Sequence, residues 1–237
     1  MKIAIIPARI GSKRIKQKNI KIFCGKPIIY WTIKKIIESK FFDKIIVSTD
    51  SDKIAKIVKR YGAEVPFLRP KNISDDYTGT LEVVRHAIVE LKNKKIYPSY
   101  VCCVYPTSIF LQSKDIKKGF QILNNKNNEY VFSGSNLTSS SYRSFYFHKS
   151  KLNMMFKKNY NSRTQDFKKL YIDIGQFYWA KTTTWLKKDK IFSTNSKIVV
   201  IKVGSSLLID NNKDIRNKWL FEFAKDIKSL IDKNKKI

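Results

Sequence analysis

The sequence predicts an α/β protein built on one doubly wound, mostly parallel sheet with a small antiparallel insert. Short apolar runs typical of strands buried on both faces alternate with segments whose apolar residues recur at helical spacing. This alternation predicts βαβ units, and therefore parallel strands joined by right-handed crossovers. It is lost between about residues 136 and 172, where Ser, Tyr and Phe alternate and predict an antiparallel hairpin.

The first half of the chain contains the clearest βαβ units. Predicted strands occupy residues 3–6, 42–48, 62–70 and 100–105, and predicted helices occupy residues 28–39, 53–61 and 81–94. Asp52 and Thr80 precede two of these helices and belong to the residue types preferred at N-caps. Asp50 follows a predicted strand, where open α/β sheets place their ligands, although a cap or a solvent-exposed position explains it as well.

The second half continues the pattern after a polar Asn/Lys loop. A predicted helix occupies residues 114–124, predicted strands occupy residues 130–133, 171–180 and 197–202, and a final helix is predicted at residues 214–231. A chain of 237 residues has room for one sizeable core. We therefore expect a single domain over residues 1–237, with the insert at about 136–172.

The charge is the most unusual feature of the composition. Lys and Arg number 48 against 19 Asp and Glu, which gives a net charge of +29. The cations are spread along the whole chain, so they predict attraction of small anions rather than one basic stripe. A basic nucleic-acid-binding protein is the alternative, but the aromatic residues interleave with apolar runs rather than with a basic groove, and dedicated nucleic acid binding is not expected.

The three cysteines, Cys24, Cys102 and Cys103, have no metal-type spacing and predict no disulfide framework. No apolar stretch approaches the length of a membrane span, and no signal-peptide pattern precedes the first strand. The expected location is therefore the cytoplasm.

The loop after the first strand carries the strongest functional signal. It combines small residues with fixed cations, namely Ala8, Arg9, Gly11, Ser12 and Lys13, and Lys18-Asn19 follows. Backbone N–H groups and cationic side chains in such a loop can converge on one anion, and we expect a nucleoside triphosphate. The glycine spacing fits neither a Walker A loop nor a GxGxxG fingerprint, and an ordinary junction in a basic protein is the alternative.

The motifs together resemble a known family. The opening run PARIGSKRI, KNI and GKP is similar to that of the cytidylyltransferases that activate sialic-acid-like nine-carbon sugars, the acylneuraminate cytidylyltransferases. Tyr105-Pro106-Thr107, where most sialic acid synthetases have Gln-Pro-Thr, and the run at 173–179 look closest to the pseudaminic acid branch. The resemblance implies a Rossmann-like nucleotide-diphospho-sugar transferase fold and a homodimer in which the insert reaches the partner's site.

The resemblance also implies the reaction, which is CMP transfer from CTP to a nine-carbon 2-keto sugar acid with Mg²⁺ as cofactor. The residues it assigns to the nucleotide are Ala8, Arg9, Gly11, Ser12, Lys13, Lys18, Asn19, Arg69, Thr78 and Thr80. Those it assigns to the sugar are Tyr105, Thr107, Arg163, Asp173, Gln176 and Tyr178. Arg9, Lys18 and Asp210 are the expected catalytic residues, and Asp210 is the expected metal ligand.

Two positions in the phosphate-handling elements depart from the family pattern. Leu208 replaces the first carboxylate of the family's Asp-Ile-Asp-Thr metal-binding run, and Ile10 replaces a glycine in the phosphate loop. Because Mg²⁺ commonly uses one or two carboxylates together with substrate phosphates, Asp210 alone can suffice. The alternatives are a catalytically weakened relative, or an enzyme for another nonulosonic acid such as sialic or legionaminic acid.

Overall fold

The computed structural model describes residues 1–125, 127–137 and 139–201, together with Phe221, Lys225 and Lys228, which are helical. Within these residues the strands are β1 (Lys2–Pro7), β2 (Ile22–Phe23), β3 (Lys26–Pro27), β4 (Lys44–Ser48), β5 (Tyr100–Val104), β6 (Tyr130–Leu137), β7 (Phe145–His148), β8 (Lys151–Met154), β9 (Leu170–Lys181) and β10 (Lys197–Val200). The α-helices are α1 (Ile28–Glu38), α2 (Asp52–Lys59), α3 (Thr80–Asn93), α4 (Ser113–Leu123) and α5 (Thr182–Lys187).

Six strands of the described chain form one sheet in the order β10-β6-β9-β5-β1-β4. β1 pairs in parallel with both β4 and β5, and β10 pairs in parallel with β6. β9 lies between β5 and β6 and is antiparallel to both. The predicted mostly parallel sheet is confirmed, and β9 is its antiparallel strand.

The apolar runs of the sequence explain why helices cover both faces of the sheet. Along β1, Ile3 and Ile5 point into one buried cluster while Ala4 and Ile6 point into the other, as the two-residue period of a strand requires. The first cluster is shared with α3 and α5, and the second with α1, α2 and α4. Fully burying each of these isoleucines contributes roughly 1.5–3 kcal/mol to stability.

The structure corrects both predicted N-caps. Ser51, not Asp52, caps α2, because its Oγ accepts a hydrogen bond from the Ile54 N–H at 3.4 Å while Asp52 is the first helical residue. Gly79, not Thr80, is the N-cap of α3. The hydroxyl of Thr80 is instead engaged by the phenol of Tyr105. The strand predicted at 62–70 is reduced to two isolated bridges with the β4 edge.

The insert contains the predicted antiparallel hairpin, formed by β7 and β8, which pair from Phe145 opposite Met154 to His148 opposite Lys151. The chain leaves the sheet after Leu137 and returns at Leu170, which lie opposite one another in the ladder between β6 and β9. The helix predicted at 214–231 lies outside the described residues, apart from the three helical positions given above. None of the described helices combines the length and apolar composition needed to cross a membrane.

Candidate functional site

Two adjoining pockets open at the carboxyl edge of β1 and β5, the edge at which α/β sheets bind ligands. The first, which we call the cationic pocket, has a volume of about 290 Å³ and is lined by Arg9, Lys18 and Arg69 among others. The second, which we call the apolar pocket, has a volume of about 330 Å³ and is walled by Leu81, Ile191 and Phe192. Thr80 and Tyr105 line both pockets, so the two are neighbours with a common wall.

The loop after β1 is folded by hydrogen bonds to its own backbone. The carboxylate of Asp50, at the end of β4, accepts the Ile10 N–H at 2.9 Å. Arg9 donates from Nη1 to the carbonyl of Gly11 at 3.1 Å, and Asn19 donates from Nδ2 to the carbonyl of Arg9 at 2.9 Å. Asp50 therefore stabilises the loop by accepting a backbone hydrogen bond from it, and it does not cap a helix.

The cations of this loop face a carboxylate of the same chain. Asp76 is paired with Arg9 through one oxygen and with Lys13 through the other, the latter at 2.7 Å. The hydrogen bond from Lys13, followed by that from Arg9, lowers the pKa of Asp76 below its ordinary value. An anion therefore already sits between the two cations, which is the arrangement that a phosphate group would require.

Arg69 is the buried cation of the cationic pocket, since only 5% of its surface is exposed. Its Nε donates to Ser74 Oγ at 3.1 Å, and its backbone N–H donates to Thr49 at 2.7 Å. Burial lowers its pKa, an effect that the nearby Asp50 carboxylate opposes. Among the described residues only Nε of this guanidinium has a hydrogen-bond acceptor, so the buried cation favours an anionic or acceptor-rich ligand beside it.

Asn19 carries an unpaired acceptor into the same pocket. Its side chain is buried, and within the described residues its Oδ1 has no hydrogen-bond partner. Leaving a buried acceptor unsatisfied costs roughly 1–3 kcal/mol. A ligand donor such as a ribose hydroxyl, bound beside the positive charges of this pocket, would satisfy that acceptor.

A tight turn over residues 75–79 forms another part of the cationic pocket. One carboxylate oxygen of Asp75 accepts the N–H of Tyr77 at 3.0 Å, and the N–H and hydroxyl of Thr78 at 2.7 and 2.6 Å. The hydroxyl bond is the main cause of the lowered pKa of Asp75. The hydrogen bonds of this turn, rather than a helix or strand, hold Thr78 in the pocket wall.

A chain of hydroxyl groups crosses the common wall of the two pockets. Thr80 Oγ1 lies 2.5 Å from the Tyr105 hydroxyl, and Tyr178 donates its hydroxyl to Asp173 Oδ2 at 2.5 Å. The rings of Tyr105 and Tyr178 lie 5.5 Å apart, and burial raises the pKa of both phenols, which keeps them protonated. The second oxygen of Asp173 accepts the N–H of Gly175 at 2.9 Å, in a turn where φ is +62°. A side chain at Gly175 would be strained there and would contact the Tyr105 ring.

The apolar pocket differs in charge from its neighbour. Among the described residues its lining includes two carboxylates, Asp173 and Asp189, and no Lys or Arg. Leu81, Ile191 and Phe192 supply its apolar surface, and Phe192 packs edge-to-face on Phe132 at 4.9 Å. The residues at 189–192 were not predicted, because only tertiary folding brings the segment after α5 to this wall.

The structure brings together most of the predicted site residues. Nine predicted residues line the cationic pocket: Arg9, Ser12, Lys18, Asn19, Arg69, Thr78, Thr80, Tyr105 and Thr107. Four line the apolar pocket: Thr80, Tyr105, Asp173 and Tyr178.

The remaining predicted residues lie elsewhere. Ala8 is fully buried, and Gly11 and Lys13 belong to the loop but not to either pocket lining. Gln176 is buried and offers its backbone carbonyl to Tyr105 and Ser108, while its own Oε1 has no partner among the described residues. Arg163 is not beside either pocket of its own chain.

Arg163 lies in the insert and is paired with Asp166 at 3.0 Å. Asp210 and Leu208 fall outside the described residues. In the part of the chain that the structure describes, no three His, Cys, Asp or Glu side chains converge as a metal site would require. The carboxylates beside the cationic pocket are engaged by protein groups, so the metal prediction depends on Asp210.

A family model described as Cytidylyltransferase matches residues 3–228. The chain belongs to the cytidylyltransferase family. It is therefore an enzyme of the nucleotidyltransferase type, as the motifs at the first loop and at 173–179 predicted.

Curated relatives of this cytidylyltransferase include the pseudaminic acid cytidylyltransferase of Campylobacter jejuni, which is 36% identical over 224 residues that cover 94% of each chain. A Helicobacter pylori protein that combines pseudaminic acid cytidylyltransferase with a hydrolase is 43% identical over 82% of this chain and 37% of its own length. The CMP-N,N'-diacetyllegionaminic acid synthase of Legionella pneumophila is 35% identical over 51% of this chain and 52% of its own length.

Solved structures confirm the fold. CMP:2-keto-3-deoxy-manno-octonic acid synthetase, solved in complex with CTP, superposes with a TM-score of 0.65 over 98% of this chain and 99% of its own, at 11% identity. A 4-diphosphocytidyl-2C-methyl-D-erythritol synthase from Anaerococcus prevotii gives a TM-score of 0.55 over 94% of this chain and 97% of its own, at 14% identity.

Proposed function

We propose that the protein transfers CMP from CTP to the anomeric hydroxyl of a nine-carbon 2-keto sugar acid, pseudaminic acid, and releases pyrophosphate. The observation that carries the proposal is the pair of adjoining pockets, one cationic and one apolar, with a common wall of hydroxyl groups. The long match to the Campylobacter jejuni enzyme supports the choice of sugar. We place the reaction in the cytoplasm, where CTP is made.

The charges of the two pockets suggest how the substrates are oriented. The triphosphate and the sugar carboxylate are anionic and belong with Arg9, Lys18 and Arg69. The unpaired carbonyl of Asn19 suits a ribose hydroxyl. The apolar pocket is left for the end of the sugar remote from its carboxylate, because Asp173 and Asp189 would repel an anion there.

The chemistry proposed for this arrangement is an in-line displacement. The anomeric oxygen forms a bond to the α-phosphorus while the bond from that phosphorus to the bridging oxygen of pyrophosphate breaks. Arg9 and Lys18 stabilise the negative charge that grows on the phosphates, and positioning of the two substrates supplies much of the acceleration. The proton of the anomeric hydroxyl must pass to a base, and Asp210 is the candidate for that role.

We also propose Mg²⁺ as the cofactor, with Asp210 as its protein ligand, because Mg²⁺ often takes one or two carboxylates and fills its remaining positions with phosphates and waters. When bound, the ion neutralises phosphate charge. Asp210→Asn should lower turnover at least about tenfold. Turnover measured over a Mg²⁺ titration tests this prediction, and an unchanged rate would remove Asp210 from the metal site.

We propose a homodimer formed through the insert. The insert exposes several large apolar side chains, among them Phe145, Phe147, Leu152 and Tyr160, which are 56%, 76%, 60% and 77% exposed. Apolar side chains grouped in this way are typical of an interaction surface. In a dimer, Arg163 would reach the partner's sugar site, which explains why it is remote from the pockets of its own chain.

A mixing experiment tests the role of Arg163. Arg163→Ala and Arg9→Ala homodimers should each be nearly inactive, and mixed dimers should regain activity because one of their two sites is intact. Light scattering establishes the oligomeric state in the same samples. Absence of recovery in dimers shown to have exchanged subunits would place Arg163 outside the partner's site.

The function itself is tested by pyrophosphate release from CTP with pseudaminic, sialic and legionaminic acids offered separately. We expect release with pseudaminic acid, at a rate well above that with the other two. Release with another acid alone would change the substrate, and CTP binding with no release from any acid would indicate a relative that has lost its chemistry.

A further inference from the structure

The outer wall of the apolar pocket belongs to a segment without regular secondary structure. Residues 188–196 connect α5 to β10, and Asp189, Ile191 and Phe192 of this segment line the pocket. Phe192 is 59% exposed, so its packing on the rest of the protein is incomplete. Some other group must fix the segment if its side chains are to meet a substrate reproducibly.

We infer that Arg85 is a positioning residue for the sugar acid, because its guanidinium holds this segment against the apolar pocket. The inference rests on the function proposed above. Arg85 lies on α3 and donates from Nε to the carbonyl of Trp185 at 2.8 Å. Its Nη2 donates to the carbonyl of Lys188 at 2.8 Å and to Asp189 Oδ1 at 2.9 Å.

These bonds tie the end of α5 and the start of the pocket wall to one side chain. The carbonyls of Trp185 and Lys188 belong to the end of α5 and the residue that follows it, where backbone acceptors have no helical partner. One planar guanidinium reaches both carbonyls and the Asp189 carboxylate, which an ammonium on a flexible stem cannot do with the same geometry.

Both supports of this clamp are rigid. Arg85 follows Val84 on α3, and Val84 is fully buried in the core. Trp185 is also fully buried and donates its indole N–H to the carbonyl of Val101 in β5 at 3.1 Å. The guanidinium therefore fixes the start of residues 188–192 relative to the core.

The segment has a second anchor, which joins both its first residue and Ser193 to Glu129. Glu129 pairs with Lys188 Nζ at 2.7 Å and accepts the hydroxyl of Ser193 at 3.0 Å. This anchor keeps the segment attached when Arg85 is replaced, so loss of Arg85 should displace the wall without unfolding the chain. None of residues 188–192 lines the cationic pocket, so the displacement should weaken binding of the sugar acid and leave binding of CTP unchanged.

The test compares Arg85→Lys and Arg85→Gln with the wild-type enzyme. Both variants should raise KM for the sugar acid, by roughly tenfold or more, since small displacements of positioning groups can change rates up to about a hundredfold. KM for CTP should stay within about twofold of the wild-type value. Arg85→Lys keeps the charge, so failure of lysine to restore KM separates geometry from electrostatics.

Lys44→Gln is the matched control. It removes a partly exposed ion pair, Lys44 with Glu64 at 2.8 Å, on the β4 side of the sheet and away from both pockets. It should leave both KM values unchanged. Equal increases in KM for CTP and for the sugar acid in the Arg85 variants, or no increase in either, would overturn the inference.

A second measurement does not depend on activity. Amide hydrogen exchange of the full chain, followed by mass spectrometry, should be faster in Arg85→Gln over residues 186–192 and unchanged over residues 1–20. Unchanged exchange over residues 186–192 would overturn the clamp whatever the enzyme's substrate. If wild-type enzyme releases no pyrophosphate while exchange responds as expected, the clamp stands and the proposed function fails.

Discussion

Among single residues, Asp76 has the most direct bearing on substrate binding. Its carboxylate lies between Arg9 and Lys13, the cations of the loop after β1. If the triphosphate binds these two cations as proposed, it has to replace this internal anion. The loop is therefore kept from repelling itself in the free protein, at the expense of some affinity for the nucleotide.

Asp76→Asn should consequently strengthen CTP binding, by roughly two- to fivefold, because exposed ion pairs of this kind are weak and screened by salt. The gain should shrink as salt is added. Isothermal titration with CTP at two salt concentrations measures both effects. Weaker binding in the variant would mean that Asp76 positions the cations rather than competing for them.

His86 makes stability depend on pH. Its Nδ1 is buried and has no partner within the described residues. Burial lowers its pKa, the charge of Arg69 adds to this effect, and Glu90 opposes it. The unfolded chain then takes up a proton near pH 6.5 that the folded chain takes up only at lower pH. In that window the unfolded state holds more protons, so stability rises with pH.

Replacing His86 with Phe should flatten the dependence of thermal stability on pH between about 5 and 7. The edge-to-face packing of the ring on Phe67 is retained by the substitution. His148→Gln, at the only other histidine in the sequence, is the control. An identical slope in the wild-type and His86→Phe proteins would contradict this account.

At the scale of elements, β9 connects the insert to the central sheet. Among the described strands, β6 alone pairs with its first half, and its second half lies between β5 and β6 in the core. The change occurs where the register between β6 and β9 shifts, between Phe132 and Gly134. Ser133 stands at this shift, and its Oγ accepts the N–H groups of Gln176 and Phe177 at 2.9 and 3.1 Å.

Ser133→Ala should therefore destabilise the protein by about 2 kcal/mol, because two buried N–H groups lose their acceptor. Urea denaturation measures the difference. Ser135→Ala is the control, since it lies in the same strand and its hydroxyl makes no hydrogen bond within the described residues. Equal stabilities for the two variants would show that the ladder accommodates the shift without the serine.

Elements were predictable from the sequence where the signal was local. The apolar runs of β1 and β5 and the helical spacing of α1 and α3 depend on the residues themselves, and all four were found. The N-caps predicted at Asp52 and Thr80 were wrong because both residues were judged by residue type alone. For Thr80, a tertiary contact with Tyr105 engages the hydroxyl instead.

The same distinction applies to the candidate site. Arg9 and Asn19 were predicted from one short motif, and both line the cationic pocket. Ile191, Phe192 and Arg85 were missed because their roles depend on contacts between segments far apart in the sequence. No spacing rule connects α3 to the residues after α5, so these contacts had no signature in the sequence.

On the scale of the whole molecule, the core and the insert have different surfaces. The described core buries its isoleucines on both faces of the sheet, whereas β7 and β8 leave most of their apolar side chains in solvent. Within the described residues the sheet already buries its apolar side chains, while those of the hairpin remain available for contact with another chain. The high net charge of +29 opposes association of two identical chains, so the apolar hairpin would have to outweigh that repulsion.

The facing positions of Leu137 and Leu170 separate folding from assembly. Because these residues are neighbours in the ladder, an Asn-Gly turn of about two residues should replace residues 138–169 without breaking any pairing of the core. The shortened chain should be a folded monomer that still binds CTP, as light scattering and titration can measure; an unfolded product would contradict this. An oligomer formed through the insert could then be gained, lost or exchanged between relatives by a change in one segment, while the cationic pocket was inherited unchanged.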